Sequence, residues 1–354
     1  MAMMSGSLRN GLLALVLLAL LGGCMPALEV PEVEKGALYE EAQRQRELAF
    51  SIYIKREERL WNVALPLLRA ASMFCDKHRG YSYGLVIHDV DSYGDEYRQI
   101  ARRYFSIYDD GIYVRYVHPD LPAGRMGLQA GDRILSVNGI STEGMSIKEV
   151  GSIIKNSSKR LSLTVRRDTH IEEFELLPDS VCNYDIRLVV HDAVNAFADG
   201  KNVTITTGMI RFAESDQELA LVLGHEIAHN VLGHVLKTQG NILVGTLFDI
   251  LIESTTGVST EGLFAELGAE MYSQEFEAEA DYMGLYIVAR AGYEIKDAHY
   301  FWRRMAVEHP ASIKTNFSAT HPSTPQRFIA LENTIKEIEE KKKRGAPLVP
   351  EKRR

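Results

Sequence analysis

The sequence predicts an α+β protein in which a β-rich domain precedes a mainly helical domain with a small sheet. Runs rich in valine, isoleucine, tyrosine and leucine at residues 111–117 and 160–166 predict strands in the first domain. In the second, apolar residues recur at helical spacing around 219–232, and a second helical pattern at 273–284 alternates acidic with small residues. A chain of 354 residues has room for two or three such domains.

The N-terminus is predicted to be a targeting segment. An apolar run at residues 12–21 follows Arg9 and has the length of a signal-peptide core, not of a membrane span. It ends in Leu-Gly-Gly-Cys24, which resembles a bacterial lipobox. The resemblance implies a lipoprotein signal peptide at 1–23, lipidation of Cys24 and, since Met25 is not aspartate, an outer-membrane anchor facing the periplasm. The alternative is a plain signal peptide ending near a cysteine.

Residues 24–79 are predicted to be a linker followed by a helical segment. From residue 37 to about 74, charged and apolar residues alternate at helical spacing. Pro66 is expected to kink or restart this helix because proline lacks the backbone N–H. The pattern assigns no chemistry to the segment, which fits a spacer, a docking helix or a brace for the following domains.

Residues 80–178 resemble a PDZ domain, through the segment 122–139 with its Ala-Gly-Asp-Arg-Ile-Leu-Ser-Val-Asn-Gly ending. The resemblance makes residues 146–155 the helix beside a peptide groove. Backbone N–H groups of Gly84, Leu85 and Val86 would then bind a peptide C-terminus, and the peptide would add as a strand. Two alternatives stay open: the long insertion at 89–110 covers the groove, or the domain is purely structural and binds no terminus.

The second domain contains the sequence His225-Glu226-Ile-Ala-His229 within an apolar helical pattern. Residues i and i+4 share a helix face, so the two histidines can bind one ion, with Glu226 turned toward a water on that ion. Zinc held by two imidazoles needs a third ligand and an open position for water. Residues 215–218 have the form of a helix-capping box just before this run. The alternative is a chance pattern on a solvated helix, which the surrounding apolar residues disfavour.

A second helical pattern supplies carboxylates to complete the site. Glu277 and Asp281 are again four residues apart, among small residues. One can ligate the zinc while the other accepts the spare N–H of a ligating histidine. We interpret Glu275 and Glu279, on the same segment, as a solvated acidic face.

The His-Glu-Ile-Ala-His and Glu-Ala-Glu-Ala-Asp segments together resemble the gluzincin metallopeptidases of family M48, a group that includes HtpX, Oma-type and CAAX prenyl proteases. The resemblance runs from about residue 184 to 331, and we place a gluzincin catalytic domain at 183–335. It implies one Zn²⁺ per chain, held by His225, His229 and Glu277, with Glu226 as the catalytic base and Asp281 holding a ligand imidazole.

Three further expectations concern the rest of this domain. The resemblance makes 194–208 the region of the edge strand along which substrate lies. It also includes a late His-Pro, so His321 could hydrogen-bond the oxyanion or bind zinc as a fourth ligand, while Arg327 orients its neighbours. Residues 241–270 fit a lid, an amphipathic flap or a core helix. His234 is interpreted as a packed or outer-sphere histidine rather than a ligand.

Cysteine usage predicts a disulfide between Cys75 and Cys182, because these residues bracket the PDZ-like domain closely and the periplasm is oxidising. The alternative is two buried free thiols. At the other end of the chain, residues 336–354 are rich in lysine and arginine, and we expect a basic, flexible tail.

The net charge of −8 and a pI near 5.8 argue against nucleic acid as a partner. The expected function is a zinc endopeptidase of the bacterial cell envelope that cleaves misfolded or misassembled envelope proteins. The PDZ-like domain would recognise the substrate or regulate the enzyme. The main alternative is a chaperone or assembly factor for outer-membrane proteins with latent protease activity. A third is a scaffold that acts chiefly through the PDZ-like domain.

Overall fold

The computed structural model describes residues 31–237, 273–308 and 325–351. Cys24, His321 and the segment 241–270, with the expectations attached to them, lie outside these residues. The chain divides into two compact units, residues 1–48 and residues 49–354. In the first, the described residues form the exposed start of helix α1 (Lys35–Ala71), with ion pairs from Arg44 to Glu40 and Glu41. The architecture below is that of the second unit.

Helix α1 braces the second unit from within. Its last turns supply buried apolar side chains to the main core: Leu60, Val63, Ala64, Leu67, Leu68 and Ala71. The Arg59 guanidinium donates to the Asp216 carboxylate at 2.8 Å and to the carbonyls of Ile210 and Ala213 at 2.9 Å each. The helix is continuous through Pro66, so the expected restart does not occur. Of the three roles left open by the sequence, these contacts match the brace.

A six-stranded antiparallel sheet forms the β-rich part of this unit. Its strand order is β2-β3-β4-β6-β7, with β5 paired to β4. The bounds are β2 Leu85–His88, β3 Ile112–Val117, β4 Arg133–Val137, β5 Ile140–Ser141, β6 Leu161–Arg167 and β7 His170–Leu176. Three helices accompany the sheet: α2 Arg98–Phe105, α3 Pro122–Arg125 and α4 Ile147–Asn156. Strand β2 lies at the sheet edge and contacts α4, as in the predicted groove.

The base of the β-rich part is closed by a small ladder and a disulfide. Strands β1 (Arg79–Ser82) and β8 (Asp179–Cys182) pair antiparallel outside the larger sheet. Next to them Cys75 and Cys182 form a disulfide across a separation of 107 residues, with Cα atoms 5.8 Å apart. Both cysteines belong to the main core. The bridge therefore lies at the base of the PDZ-like domain, where the sequence predicts it.

The remaining part is mainly helical around a three-stranded sheet of order β10-β11-β9. Strand β11 (Asn202–Thr206) runs parallel to β9 (Asp185–Val189) and antiparallel to β10 (Ala196–Ala198). The helices are α5 Thr207–Phe212, α6 Asp216–Leu232, α7 Ser273–Arg290, α8 Ala298–Glu308 and α9 Pro325–Lys343. The predicted α+β class, with a β-rich part before a mainly helical part, is confirmed. Among the described helices, none combines the length and apolar character that a membrane crossing needs.

The expectation of a flexible basic tail at 336–354 is wrong for its described part. Residues 336–343 continue α9, because Leu331, Ile335 and Ile338 keep one buried face beneath the charged run. The chain beyond the helix is bonded to its neighbours: Lys341 Nζ donates to the Val349 carbonyl at 2.8 Å, and Arg290 donates to the Leu348 carbonyl at 3.3 Å. The lysine-rich composition led to the expectation of a flexible tail, although its first residues belong to an amphipathic helix.

Candidate metal centre

Helix α6 carries the predicted His-Glu-x-x-His residues into the core. The Ser215 hydroxyl caps its N-terminus by accepting the Glu218 N–H at 3.2 Å. This is half of the predicted capping box, because the Glu218 carboxylate accepts the N–H of Glu214 instead of that of Ser215. His225, Glu226 and His229 are all buried. The helix ends at Gly233, which adopts a left-handed conformation with φ of +68°. Polar side chains enclosed in this way need polar partners, and α7 supplies them.

Two glycines let α6 and α7 approach closely enough for these partners to meet. A Cβ on Gly284 would lie 3.1 Å from the carbonyl carbon and oxygen of Gly224 and from the Cα of His225. A Cβ on Gly224 would lie 2.6 Å from a methyl of Val288. Neither glycine was predicted from the sequence to matter. The available signal was glycine inside two strongly helical runs, since glycine costs a helix about 1 kcal/mol relative to alanine unless close packing needs it.

Three potential ligand atoms converge where the helices face each other. The Nε2 atoms of His225 and His229 are 3.0 Å apart. The Glu277 carboxylate places Oε2 3.4 Å from the first of these nitrogens and Oε1 3.2 Å from the second. All three ligand atoms lie within 4.8 Å of one another, and the three residues are buried. Two imidazoles and one carboxylate in this arrangement fit a divalent cation such as zinc.

A charged network surrounds the first histidine. The Asp281 carboxylate contacts Nδ1 of His225 at 2.9 Å. Arg327 donates to both Asp281 oxygens at 2.8 Å each, and its third nitrogen lies 2.9 Å from Oε2 of Glu277. Burial lowers the pKa of His225, but the Glu277 and Asp281 carboxylates outweigh it and raise that pKa to about 10. The surroundings of His225 therefore favour positive charge, and Arg327 orients both acids as predicted.

His229, the second histidine of the motif, has another histidine, His234, as its partner. His234 lies with its Nδ1 3.0 Å from Nδ1 of His229 and its Nε2 3.2 Å from Oε2 of Glu279. The position agrees with the interpretation of His234 as a histidine behind a ligand. The interpretation of Glu279 as a merely solvated acid is wrong: its side chain is half exposed, yet one oxygen contacts a buried imidazole. The i+2 spacing from Glu277 gave no sign of this contact, because only the turn at Gly233, which ends α6, brings His234 back toward α7.

Glu226, the predicted base, is only 3% exposed and lies within electrostatic reach of His229 and Arg327. Asn230, one residue past the motif, was not predicted to matter. Its amide donates to the Asn202 carbonyl at 3.0 Å and accepts the Gly200 N–H at 2.7 Å. It thereby holds the β10–β11 turn against the helix that bears the histidines. In the described sheet β10 is an edge strand, within the predicted substrate region 194–208.

The predicted peptide groove is a separate feature of the β-rich part. A cavity of about 320 Å³ lies between β2 and α4 and also touches α1 and residues 183–185. Of the three predicted loop residues, Leu85 lines this cavity, whereas Gly84, at a φ of +75°, and Val86 are not among its lining residues. The Gly84 N–H donates to the Ser82 hydroxyl at 3.1 Å, so one donor for a peptide terminus is engaged locally. The insertion 89–110 packs on α1 and does not line this cavity.

Two family models match this chain, and their matches overlap at residues 161–167. Residues 161–335 match the model of peptidase family M48, and residues 113–167 match that of the PDZ domain. The M48 match begins at β6, which pairs within the β-rich sheet. A solved structure of the HtrA3 PDZ domain bound to a phage-derived ligand (FGRWV) is 28% identical and covers 29% of this chain and 89% of that chain, with a TM-score of 0.23.

Two curated relatives are similar to part of this chain. The mitochondrial metalloendopeptidase OMA1 of Homo sapiens is 29% identical over 173 residues, covering 44% of this chain and 33% of the relative. The beta-barrel assembly-enhancing protease of Yersinia pestis is 28% identical over 166 residues, covering 43% of this chain and 34% of the relative. The chain thus spans about a third of the length of each.

Proposed function

We propose that this chain, in which residues 161–335 match peptidase family M48, is a zinc-dependent endopeptidase of the bacterial cell envelope. The observation that carries the proposal is the convergence of His225, His229 and Glu277 on one buried point beside Glu226. A structural histidine pair would not need a carboxylate bridging both Nε2 atoms. The same residues in the same roles are what a gluzincin site requires.

In this proposal His225, His229 and Glu277 hold one Zn²⁺ per chain. Bound zinc supplies a Lewis acid that polarises the scissile carbonyl and makes water acidic enough to be deprotonated near neutral pH. Glu226 accepts the proton of the attacking water and delivers it to the leaving amine as the C–N bond breaks. Asp281 fixes the ring of His225 through Nδ1, and Arg327 holds both carboxylates in place. His321 stays a predicted oxyanion donor or fourth ligand.

Substrate binding is proposed to use the edge of β10. An extended peptide can pair with a strand edge through its backbone alone, which suits an enzyme that cleaves within varied chains. Asn230 sets the β10–β11 turn against the helix bearing the metal ligands. The exposed side chain of Phe197 on β10 offers an apolar contact to a bound chain.

The envelope assignment and the role of the groove rest on other residues. The lipobox-like Cys24 and the disulfide between Cys75 and Cys182 both suit an anchored protein in the oxidising periplasm. The β2–α4 groove is proposed to bind peptide C-termini and so to select misfolded or misassembled envelope proteins. A second candidate is an assembly factor for outer-membrane proteins with latent activity, favoured by the near-complete burial of the metal-site residues and by the name of the Yersinia relative.

The test uses the full mature chain with Cys24→Ser, compared with Glu226→Gln and with Glu275→Gln, an exposed acid of α7, as the matched control. We expect about one zinc per chain in all three. Cleavage of an unfolded protein should fall by roughly 10²–10⁴-fold in Glu226→Gln alone. If the parent binds zinc but does not cleave, the result would favour the hypothesis that the protein is an assembly factor. A parent that binds no zinc would contradict the proposal outright.

A further inference from the structure

His234 lies in an unusual place for a histidine that neither ligates nor reaches solvent. It is 2% exposed, and its two ring nitrogens face two different partners: His229 on one side and Glu279 on the other. Its ring stacks on Phe276 with centroids 4.5 Å apart and planes 13° from parallel. Three contacts with described residues therefore orient the imidazole.

The proton positions in this chain of contacts follow from the geometry. Nε2 of His229 faces Glu277 and the Nε2 of His225, so as a ligand it must carry a lone pair there and its proton on Nδ1. That Nδ1–H points at Nδ1 of His234, which must then accept. The His234 proton consequently lies on Nε2, where Oε2 of Glu279 accepts it.

We propose that His234 is a positioning residue for the metal ligand His229: a His229–His234–Glu279 relay fixes the tautomer and ring orientation of that ligand. The inference rests on the proposed zinc site and adds a residue to it. Nδ1 of His225 donates the equivalent bond directly to a buried carboxylate, Asp281. Nδ1 of His229 donates it to a second imidazole, which in turn donates to the half-exposed Glu279.

The local chain is built for this contact. His234 follows His229 by five positions, one more than a helix would place on the same face. The left-handed Gly233 ends α6 and turns the chain so that the imidazole comes back over His229. A Cβ on Gly233 would meet nothing within 4 Å, so the position favours glycine because of its left-handed backbone angle and not because space is lacking.

The test measures zinc release into a competing chelator from the full chain, beside the absorption spectrum of the Co²⁺-loaded protein. An asparagine can place its amide oxygen near the position of histidine Nδ1, whereas the amide of a glutamine lies nearer that of Nε2. We expect His234→Phe and His234→Gln to release zinc roughly 10–100-fold faster, with a changed Co²⁺ spectrum. His234→Asn should stay within about threefold of the parent, because it retains the acceptor for His229.

Equal release from the asparagine and glutamine variants, or no change in any variant, would overturn the relay. If His234→Phe does not fold, the comparison of asparagine with glutamine still decides, since both are polar and uncharged. These readouts require no cleavage, so a parent that binds zinc without cleaving anything would contradict the proposed activity and leave the relay standing. A parent that binds no metal would overturn both.

Discussion

Two buried histidines, one in each part of the molecule, meet opposite surroundings. His88 ends strand β2, is 3% exposed, and lies with Nδ1 2.7 Å from the Tyr93 hydroxyl. Burial and then the nearby Arg115 guanidinium lower its pKa to about 3. His225 is buried as deeply, yet Glu277 and Asp281 overcome the effect of burial and raise its pKa to about 10. Burial alone therefore does not make a histidine functional; its charged neighbours do.

The difference follows from which charges each part encloses. Near His88 the buried guanidinium of Arg115 pairs with Glu58 at 2.5 Å and stacks on Phe105, so a further positive charge is unfavourable. Near His225 the buried carboxylates of Glu277 and Asp281 both pair with Arg327, and the buried carboxylate of Glu226 lies within electrostatic reach of the same guanidinium. These acids together leave an excess of negative charge. Either a proton on His225 or a bound cation balances it, which marks the second place as built for a metal.

The largest effect should come from removing Arg327. Arg327→Met leaves the Glu277 and Asp281 carboxylates buried without their cation, and breaking such a pair costs about 3–5 kcal/mol. We expect the free energy of unfolding of the zinc-free protein, measured in urea, to fall by that amount. Saturating zinc should restore part of the loss, because the metal supplies positive charge to the same carboxylates.

Arg303→Met is the matched control for this experiment. Arg303 pairs with Glu332 on neighbouring helices, but both side chains are well exposed, so the loss should stay below about 1 kcal/mol. Equal losses for the two arginine variants would mean that the charges around His225 are better hydrated than their burial indicates.

The second, smaller effect comes from substituting one glycine in each part of the molecule, Gly284 in the helical part and Gly84 in the β-rich part. Ala at position 284 would press a Cβ against the α6 backbone at 3.1 Å and move the ligand helices apart. Ala at position 84 would meet the Leu121 Cβ at 2.3 Å and strain a φ of +75°. Each should cost about 1–3 kcal/mol. Gly284→Ala should weaken zinc binding without affecting peptide binding in the groove, and Gly84→Ala should do the reverse.

Gly36→Ala is the control for both substitutions. Gly36 is an exposed residue at the start of α1, lines neither the groove nor the metal site, and a Cβ there would meet nothing within 4 Å. Since alanine favours helix over glycine, this variant should gain up to about 1 kcal/mol. Isothermal titration with zinc and with a peptide carrying an apolar C-terminus measures the two binding events separately. Loss of both in one variant would show that the two parts do not respond independently.

How far the sequence predicted this molecule depends on the range of each interaction. Local patterns identified the His-Glu-x-x-His helix, the capping serine and the Glu277–Asp281 face, because their spacing along one helix is a direct consequence of its period. The Gly224–Gly284 contact and the Arg115 network escaped, because they arise only when separate elements pack. The predictions for Glu279 and for the C-terminal helix were wrong for a related reason, because their charge suggested full exposure to solvent. In fact one oxygen of Glu279 contacts a buried imidazole, and one face of the helix is buried.

The smallest effect concerns His88 and its pH dependence. The unfolded histidine gains a proton near pH 6.5, whereas the folded one resists until about pH 3, so the unfolded state binds more protons between these values. Stability must then fall as the pH drops through this window, by up to roughly 1.4 kcal/mol per pH unit from this residue.

His88→Gln removes that contribution. Measured in urea with a chelator present, the advantage of the parent over the variant should shrink by roughly 2 kcal/mol between pH 7.5 and 5. Because both proteins keep the metal-site residues, their titrations cancel in this difference. Parallel stability curves would mean that the folded protein accepts a charge on His88, and the contrast with His225 would then lose its basis.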